Sequence, residues 1–164
     1  KTRTQKKNFK RSSLRMKRDI SLYLKDIIKN MEKAEKFIED MSYEDFIADE
    51  KTKYAIVRCI EIMGEAVKNI PEPIRKKYNE VPWKDIAGMR DKVIHFYFGI
   101  KLKRVWLALK EDIPKIKPQI RKILKDISKE KMDYIKLQDA LFKGMSVEGI
   151  YKKAKKHAEK KKAG

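Results

Sequence analysis

The sequence predicts an all-α protein, an up-and-down bundle of four or five helices with basic N- and C-terminal extensions. Apolar residues recur at three- and four-residue steps through most of the chain, which stacks them on one face of each helix. No strand-like alternation or Asn-Gly hairpin turn occurs anywhere. Pro71, Pro73, Gly99, Pro114 and Gly144 fall between the periodic stretches, where helices stop.

The first helix carries Ile20, Leu24, Ile27, Met31, Ala34, Ile38 and Met41 on one face. Ser42 followed by Asp45 reads as a capping box, since a hydroxyl and a carboxylate can satisfy first-turn donors reciprocally. One long second helix is expected to follow, with Phe46, Tyr54, Val57, Ile60, Met63, Gly64 and Val67 as its stripe and Pro71 and Pro73 as its end. The stretch PEPIRKKYNEVPW holds a short helix at most, and Trp83 is expected to anchor it in the core. A fourth helix runs from about Trp83 to Phe98, ended by Gly99 in a left-handed cap. A fifth carries Leu102, Val105, Trp106, Leu109 and Ile113 up to Pro114. Beyond Pro118, Ile120, Leu124 and Ile127 continue a helical pattern that Gly144 breaks, and Ser146 can cap a last Lys-rich helix.

Three segments follow: residues 1–16 as a basic extension and candidate for disorder, 17–125 as the bundle, and 126–164 as a Lys-rich helical extension. The chain opens at Lys1 without a methionine, and a start at Met16 would make residues 1–15 foreign or disordered. The net charge of +19 sits at the ends. Residues 1–18 hold nine Lys/Arg and no acid, and residues 121–164 hold fourteen against six acids. The middle, 19–120, carries twenty basic and eighteen acidic side chains, a net of only +2. Basic ends suit a polyanion, because Lys and Arg release counterions from phosphates, or they are solvated tails. No long apolar run suggests a membrane span, and no secretory signal is seen. The lone Cys59 fits a reducing cytoplasm, with packing as its role.

Other chemistry is thinly represented in the sequence. There is no Gly-rich phosphate loop, no Cys/His set for zinc and no H-E-x-x-H, so neither cofactor nor metal is expected. Glu61 and Glu65, four apart, make a weak metal signal, and a polar helix face explains them better. What remains is the run GMRDKVIHFYFG, residues 88–99. Met89, Val93, Phe96 and Ile100 make the core stripe of that helix. Arg90 and Tyr97 share another stripe, and His95 lies roughly 140° around from Arg90. Asp91 is four residues before His95, where its carboxylate can approach the imidazole and raise its pKa. These residues suit a cleft or interface; on spacing alone they could equally be ordinary surface.

The runs VRCIEIMGEAVKNIP (57–71) and VPWKDIAGMRDKVIHFYFGIKLKRVW (81–106) together resemble the HepT family of HEPN-domain proteins. The family signature is Arg, a polar residue (Asn or Asp), three residues, His, one residue, Tyr, and often Phe-Gly. It maps onto Arg90, Asp91, His95, Tyr97, Phe98 and Gly99, while 62–66 and 81–83 match flanking segments. The resemblance covers about residues 17–125 and leaves out both ends. It implies a HEPN-type bundle acting as a homodimeric, metal-independent RNase toxin. Its antitoxin would be a minimal nucleotidyltransferase (MntA-like) that binds it or adenylylates the motif tyrosine. Arg90 and His95 would then be catalytic, Asp91 and Tyr97 supporting, with Tyr97 a candidate adenylylation site. Lys92, Lys101, Lys103 and Arg104 are weaker candidates for RNA contact. Two positions depart from the pattern: Asp91 stands where other members carry a neutral amide, and Lys101 where an Asp commonly follows.

The chemistry agrees with this implication. Metal-free RNA cleavage needs a base, an acid and a cation for the developing phosphorane. Arginine's fork suits phosphate oxygens, and histidine titrates near neutrality. One imidazole cannot be both base and acid in one step, and the other histidine, His157, lies in the Lys-rich tail. A two-fold dimer would bring two copies of Arg90 and His95 into one cleft. The alternative is a non-catalytic helical partner or substrate-binding module of a nucleotidyltransferase, since the Asp91 carboxylate would repel a scissile phosphate. A basic nucleic-acid packaging factor, resting on the ends alone, ranks last.

Overall fold

The computed structural model describes residues 3–95, 101–142, 144, 146 and 148–152, with side chains placed for 20–93 and from Lys101 on. Every element among them is helical, and no strand occurs. The order is α1 (Arg3–Phe37), α2 (Tyr43–Ala48), α3 (Glu50–Lys68), α4 (Glu72–Lys77), α5 (Trp83–His95), α6 (Leu102–Leu107), a π-helical turn (Ala108–Asp112) and α7 (Ile113–Phe142). The chain divides into two compact units, residues 1–125 and 126–164.

In the first unit α3 is the central helix, packed against both α1 and α5. The α1 stripe is buried from Ile20 through Leu24, Ile27, Met31 and Ala34 to Ile38, while Met41, beyond the end of the helix, is half-buried. Ile56, Ile60, Met63 and Val67 of α3 and Ile120 and Ile123 of α7 are buried in the same core. Truncating any one of these large side chains to Ala costs about 2–5 kcal/mol, because the cavity left behind relaxes only partly. The first part of α7 runs antiparallel to α1. Lys110 Nζ donates to the Ile38 carbonyl at 2.9 Å, Lys117 pairs with Glu35, and Arg121 with Glu32 at 2.6 Å, so one number rises as the other falls. The Lys110 contact also places a cation on the end of α1, where unpaired carbonyls gather.

The expected long second helix is two helices. Ser42 and Asp45 form the reciprocal capping box that starts α2. Asp49 then interrupts it: its backbone is extended (φ −90°, ψ 98°) and its carboxylate accepts from Lys51 N and Thr52 N. A side chain that caps a new helix outcompetes continuation of the old one. Short α2 docks through Tyr43 and Phe46 on Trp106 of α6, with ring centroids 5.9 and 5.5 Å apart.

The stretch after Pro71 holds only the six residues of α4. Buried Trp83 fixes its far end by donating from Nε1 to the Tyr78 carbonyl at 2.9 Å. The stop expected at Pro114 is absent. The π-helical turn widens the helix just before Pro114, where the ring would otherwise clash with the preceding carbonyl, and the chain stays helical through Pro118. Burial of Ile113, Ile116, Ile120 and Ile123 on one stripe favours continuation over the local breaker. The expected cap at Gly99 and the helix beyond His95 lie outside the described residues.

The basic segment from Arg3 onward is helical and continuous with α1. In the second unit Gly144 ends the helical run with φ +75°. The Ser146 hydroxyl then accepts from Gly149 N at 3.1 Å at the start of a helical stretch, 148–152. No helix among the described residues is long and apolar enough to cross a membrane.

Candidate functional site

The site begins with a missing side chain. A Cβ on Gly64 of α3 would lie 2.2 Å from Arg90 Cβ, 2.8 Å from Arg90 Cγ and 3.3 Å from the Ile86 carbonyl. Only glycine lets α5 approach α3 this closely, and the residue seated over it is Arg90. The arginine stem therefore lies against helix backbone, and its side chain is only 25% exposed.

The guanidinium is held by two carboxylates from two helices. NH2 lies 3.3 Å from Glu65 Oε2 on α3, and NH1 donates to Asp91 Oδ1 at 2.9 Å on α5. Nε is buried with no hydrogen-bond partner among the described residues. The same Asp91 Oδ1 accepts from Lys68 Nζ at 2.5 Å, so the order Glu65, Arg90, Asp91, Lys68 alternates in charge. The Lys68 ammonium and then the Arg90 guanidinium hold the Asp91 carboxyl below its ordinary pKa.

Arg90 opens into a cleft of about 430 Å³ lined also by Tyr23, Asp26, Arg58, Glu61, Ile62, Glu65 and Ala66. Within it Arg58 pairs with Glu61 at 3.0 Å. Glu61 and Glu65, the weak metal signal, are thus each engaged by an arginine. A polar cleft with a guanidinium at its wall can bind an anion that competes with those carboxylates.

Of the residues singled out from the sequence, Arg90 and Asp91 come together here. His95 is the last residue of α5, its side chain lies outside the described residues, and so does Tyr97. Whether Asp91 also approaches His95 falls outside them too; the described partners of its carboxylate are Lys68 and Arg90. Lys92, Lys101, Lys103 and Arg104 are exposed. Arg104 pairs with Asp112 at 3.2 Å and lines a different, largely apolar cavity of about 350 Å³ with Met31, Met63 and Met89. Cys59 is buried among apolar residues, and burial raises its thiol pKa, as expected for a packing role.

Gly64, Glu65 and Lys68 are the parts that sequence reasoning missed as site residues. The signal for them is the run GEAVK, which reads as a helix stripe, a family-like flank and, through Glu65, a weak metal signal, but not as the partner of Arg90 and Asp91.

An all-α bundle in which a glycine crossing seats an arginine in a polar cleft defines the class of protein. Comparison with known proteins makes it particular. A family model described as Ribonuclease HepT-like matches residues 27–123, and the chain belongs to that family. Two proteins of Methanocaldococcus jannaschii, each carrying the name "Putative RNase", are similar to it. One is 49% identical over 114 residues, 70% of this chain and 98% of its own length. The other is 51% identical over 111 residues, 68% of this chain and 92% of its own. A protein of Thermococcus cleftensis named "Probable ribonuclease HepT" is 44% identical over 110 residues, 67% of this chain and 100% of its own. No solved structure matches the chain.

Proposed function

We propose that this protein is a ribonuclease toxin that cleaves RNA without a metal, in a cleft formed by two copies of the chain. The observation that carries the reading is Arg90, seated by Gly64 at the wall of a polar cleft, in a chain of the HepT-like family. Arg90 is the cation for the phosphate: its fork exchanges a carboxylate for phosphate oxygens as RNA enters. His95, five residues on along α5, moves the protons, and the second histidine the reaction needs comes from the partner copy. Tyr97 is the residue a cognate nucleotidyltransferase antitoxin would adenylylate, silencing the site with added bulk and charge.

The test is cleavage of RNA by purified protein in excess EDTA. Cleavage that survives chelation and is lost in both Arg90→Ala and His95→Ala supports the reading; cleavage that needs added metal overturns its metal-free form. Light scattering should report a dimer at micromolar concentration, and a stable active monomer would exclude the shared cleft.

One observation favours a second reading, a non-catalytic partner of a nucleotidyltransferase. In the free chain Arg90 is already bound by Glu65 and Asp91. If the protein is catalytically silent in every RNA tested yet binds and is modified by its antitoxin, this second reading stands.

A further inference from the structure

We propose that Lys68 is a positioning residue that neutralises Asp91 and so leaves the charge of Arg90 to the RNA phosphate. This rests on the reading of Arg90 as the phosphate-binding cation.

The guanidinium faces two carboxylates, Glu65 at 3.3 Å and Asp91 at 2.9 Å. Alone, those two acids would outweigh the one arginine they face; elsewhere in the cleft Arg58 is matched by Glu61, and Asp26 adds a further acid. Lys68 corrects the balance. It reaches across from α3, 23 residues away in sequence, and its Nζ sits 2.5 Å from the very oxygen that Arg90 NH1 contacts. Two cations now face two carboxylates, and Asp91 is shared between them.

Lys68 and Asp91 are 37% and 44% exposed, so water and salt screen the pair and the effect is moderate rather than all-or-none.

Three other roles for Lys68 are conceivable in physical terms, and each gives a different result. A lysine that touches phosphate directly is missed whatever occupies position 91. A lysine that only fastens α3 to α5 lowers the melting temperature when removed. A solvated lysine changes nothing.

The experiment compares wild type, Lys68→Met, Asp91→Asn and the double variant on one RNA oligonucleotide at fixed moderate salt. Lys68→Met should lower kcat/KM about fivefold, mainly by raising KM, as expected for a screened charge beside the phosphate site. The double variant should return to within about twofold of wild type, because removing the acid removes the need for its partner. Melting temperatures report folding in each case, and NMR titration of the Asp91 carboxyl gives a readout independent of activity. Its pKa should rise toward the ordinary carboxylate value in Lys68→Met.

A double variant as impaired as Lys68→Met overturns the inference, as does an Asp91 pKa that ignores Lys68. Failure of the underlying reading looks different. Cleavage that persists in Arg90→Ala removes Arg90 from the phosphate, and this inference falls with it. Cleavage lost in Arg90→Ala beside an unrescued double variant overturns the role of Lys68 alone.

Discussion

Replacing Gly64 with Ala adds one methyl group at the crossing of α3 and α5. Its carbon would stand 2.2 Å from Arg90 Cβ and 2.8 Å from Arg90 Cγ. Non-bonded carbons settle at roughly 3.5–4.0 Å, so the shortfall is about 1.5 Å. A flexible side-chain tip could swing away, but Cβ is fixed to the backbone, and relief requires the helices themselves to part. Overpacking of this kind costs about 3 kcal/mol. Alanine is the better helix former by about 1 kcal/mol, which leaves a net loss of about 2 kcal/mol. For a chain of this size that lowers Tm by roughly 4–8 °C. Gly88 provides the control on the same helix as Arg90: a Cβ there meets nothing within 4 Å. Gly88→Ala should therefore raise Tm by about 1–4 °C through helix propensity and a stiffer unfolded chain. The assay is thermal unfolding followed by circular dichroism, with RNA cleavage measured on the same samples below the transition. Gly64→Ala should lose cleavage beyond its loss of folded protein, because the methyl displaces the stem of Arg90. A Gly64→Ala protein with wild-type Tm and wild-type cleavage would refute the close-approach argument.

Asp49→Ala removes the cap that starts α3 and should destabilise the fold by about 1 kcal/mol in urea titration, where Asp49→Ser should largely restore it. Asp91 has its pKa lowered in the folded state by Lys68 and Arg90, so its contribution is fully present above the ordinary carboxylate pKa and fades as pH falls through the folded value. The stability difference between wild type and Asp91→Asn should therefore be present at neutral pH, shrink in acid and weaken in high salt; a difference independent of pH would exclude the ion pair. Deleting residues 145–164, which are rich in lysine, should weaken RNA binding and flatten its salt dependence without changing the cleavage pattern, as gel shifts and product mapping would show.

How far the fold was legible depended on whether a feature is local. The α1 stripe and the Ser42–Asp45 box are set by neighbours three and four residues apart, so they could be read directly. Asp49 was also local, yet it was hidden because apolar spacing continues on both sides of it; the acid at Glu50 in the new first turn was the usable signal. Pro114 misled for the opposite reason. A local breaker was overruled by burial of Ile113, Ile116, Ile120 and Ile123, and a widened turn absorbed the proline. Neither the burial pattern nor the widening can be seen until the partners of α7 are known.

The site divides the same way. Arg90 and Asp91 stand out in sequence because they belong to a spaced motif, but spacing along one helix says nothing of what faces it. Read from helical spacing, Asp91 pairs only with His95, four residues on along its own helix, whereas its adjacent Arg90 is the partner described there. Across the crossing it has Lys68, 23 residues earlier, which no periodicity connects to it. The glycine at position 64 decides that pairing. By removing a side chain it brings the last turns of α3 against α5, and closeness alone turns Glu65 and Lys68 into partners of Arg90 and Asp91. A larger residue there would part the helices and separate both ion pairs. The charge of the acid at the motif's polar position is therefore set by two helices, and depends on Lys68 as much as on Asp91 itself.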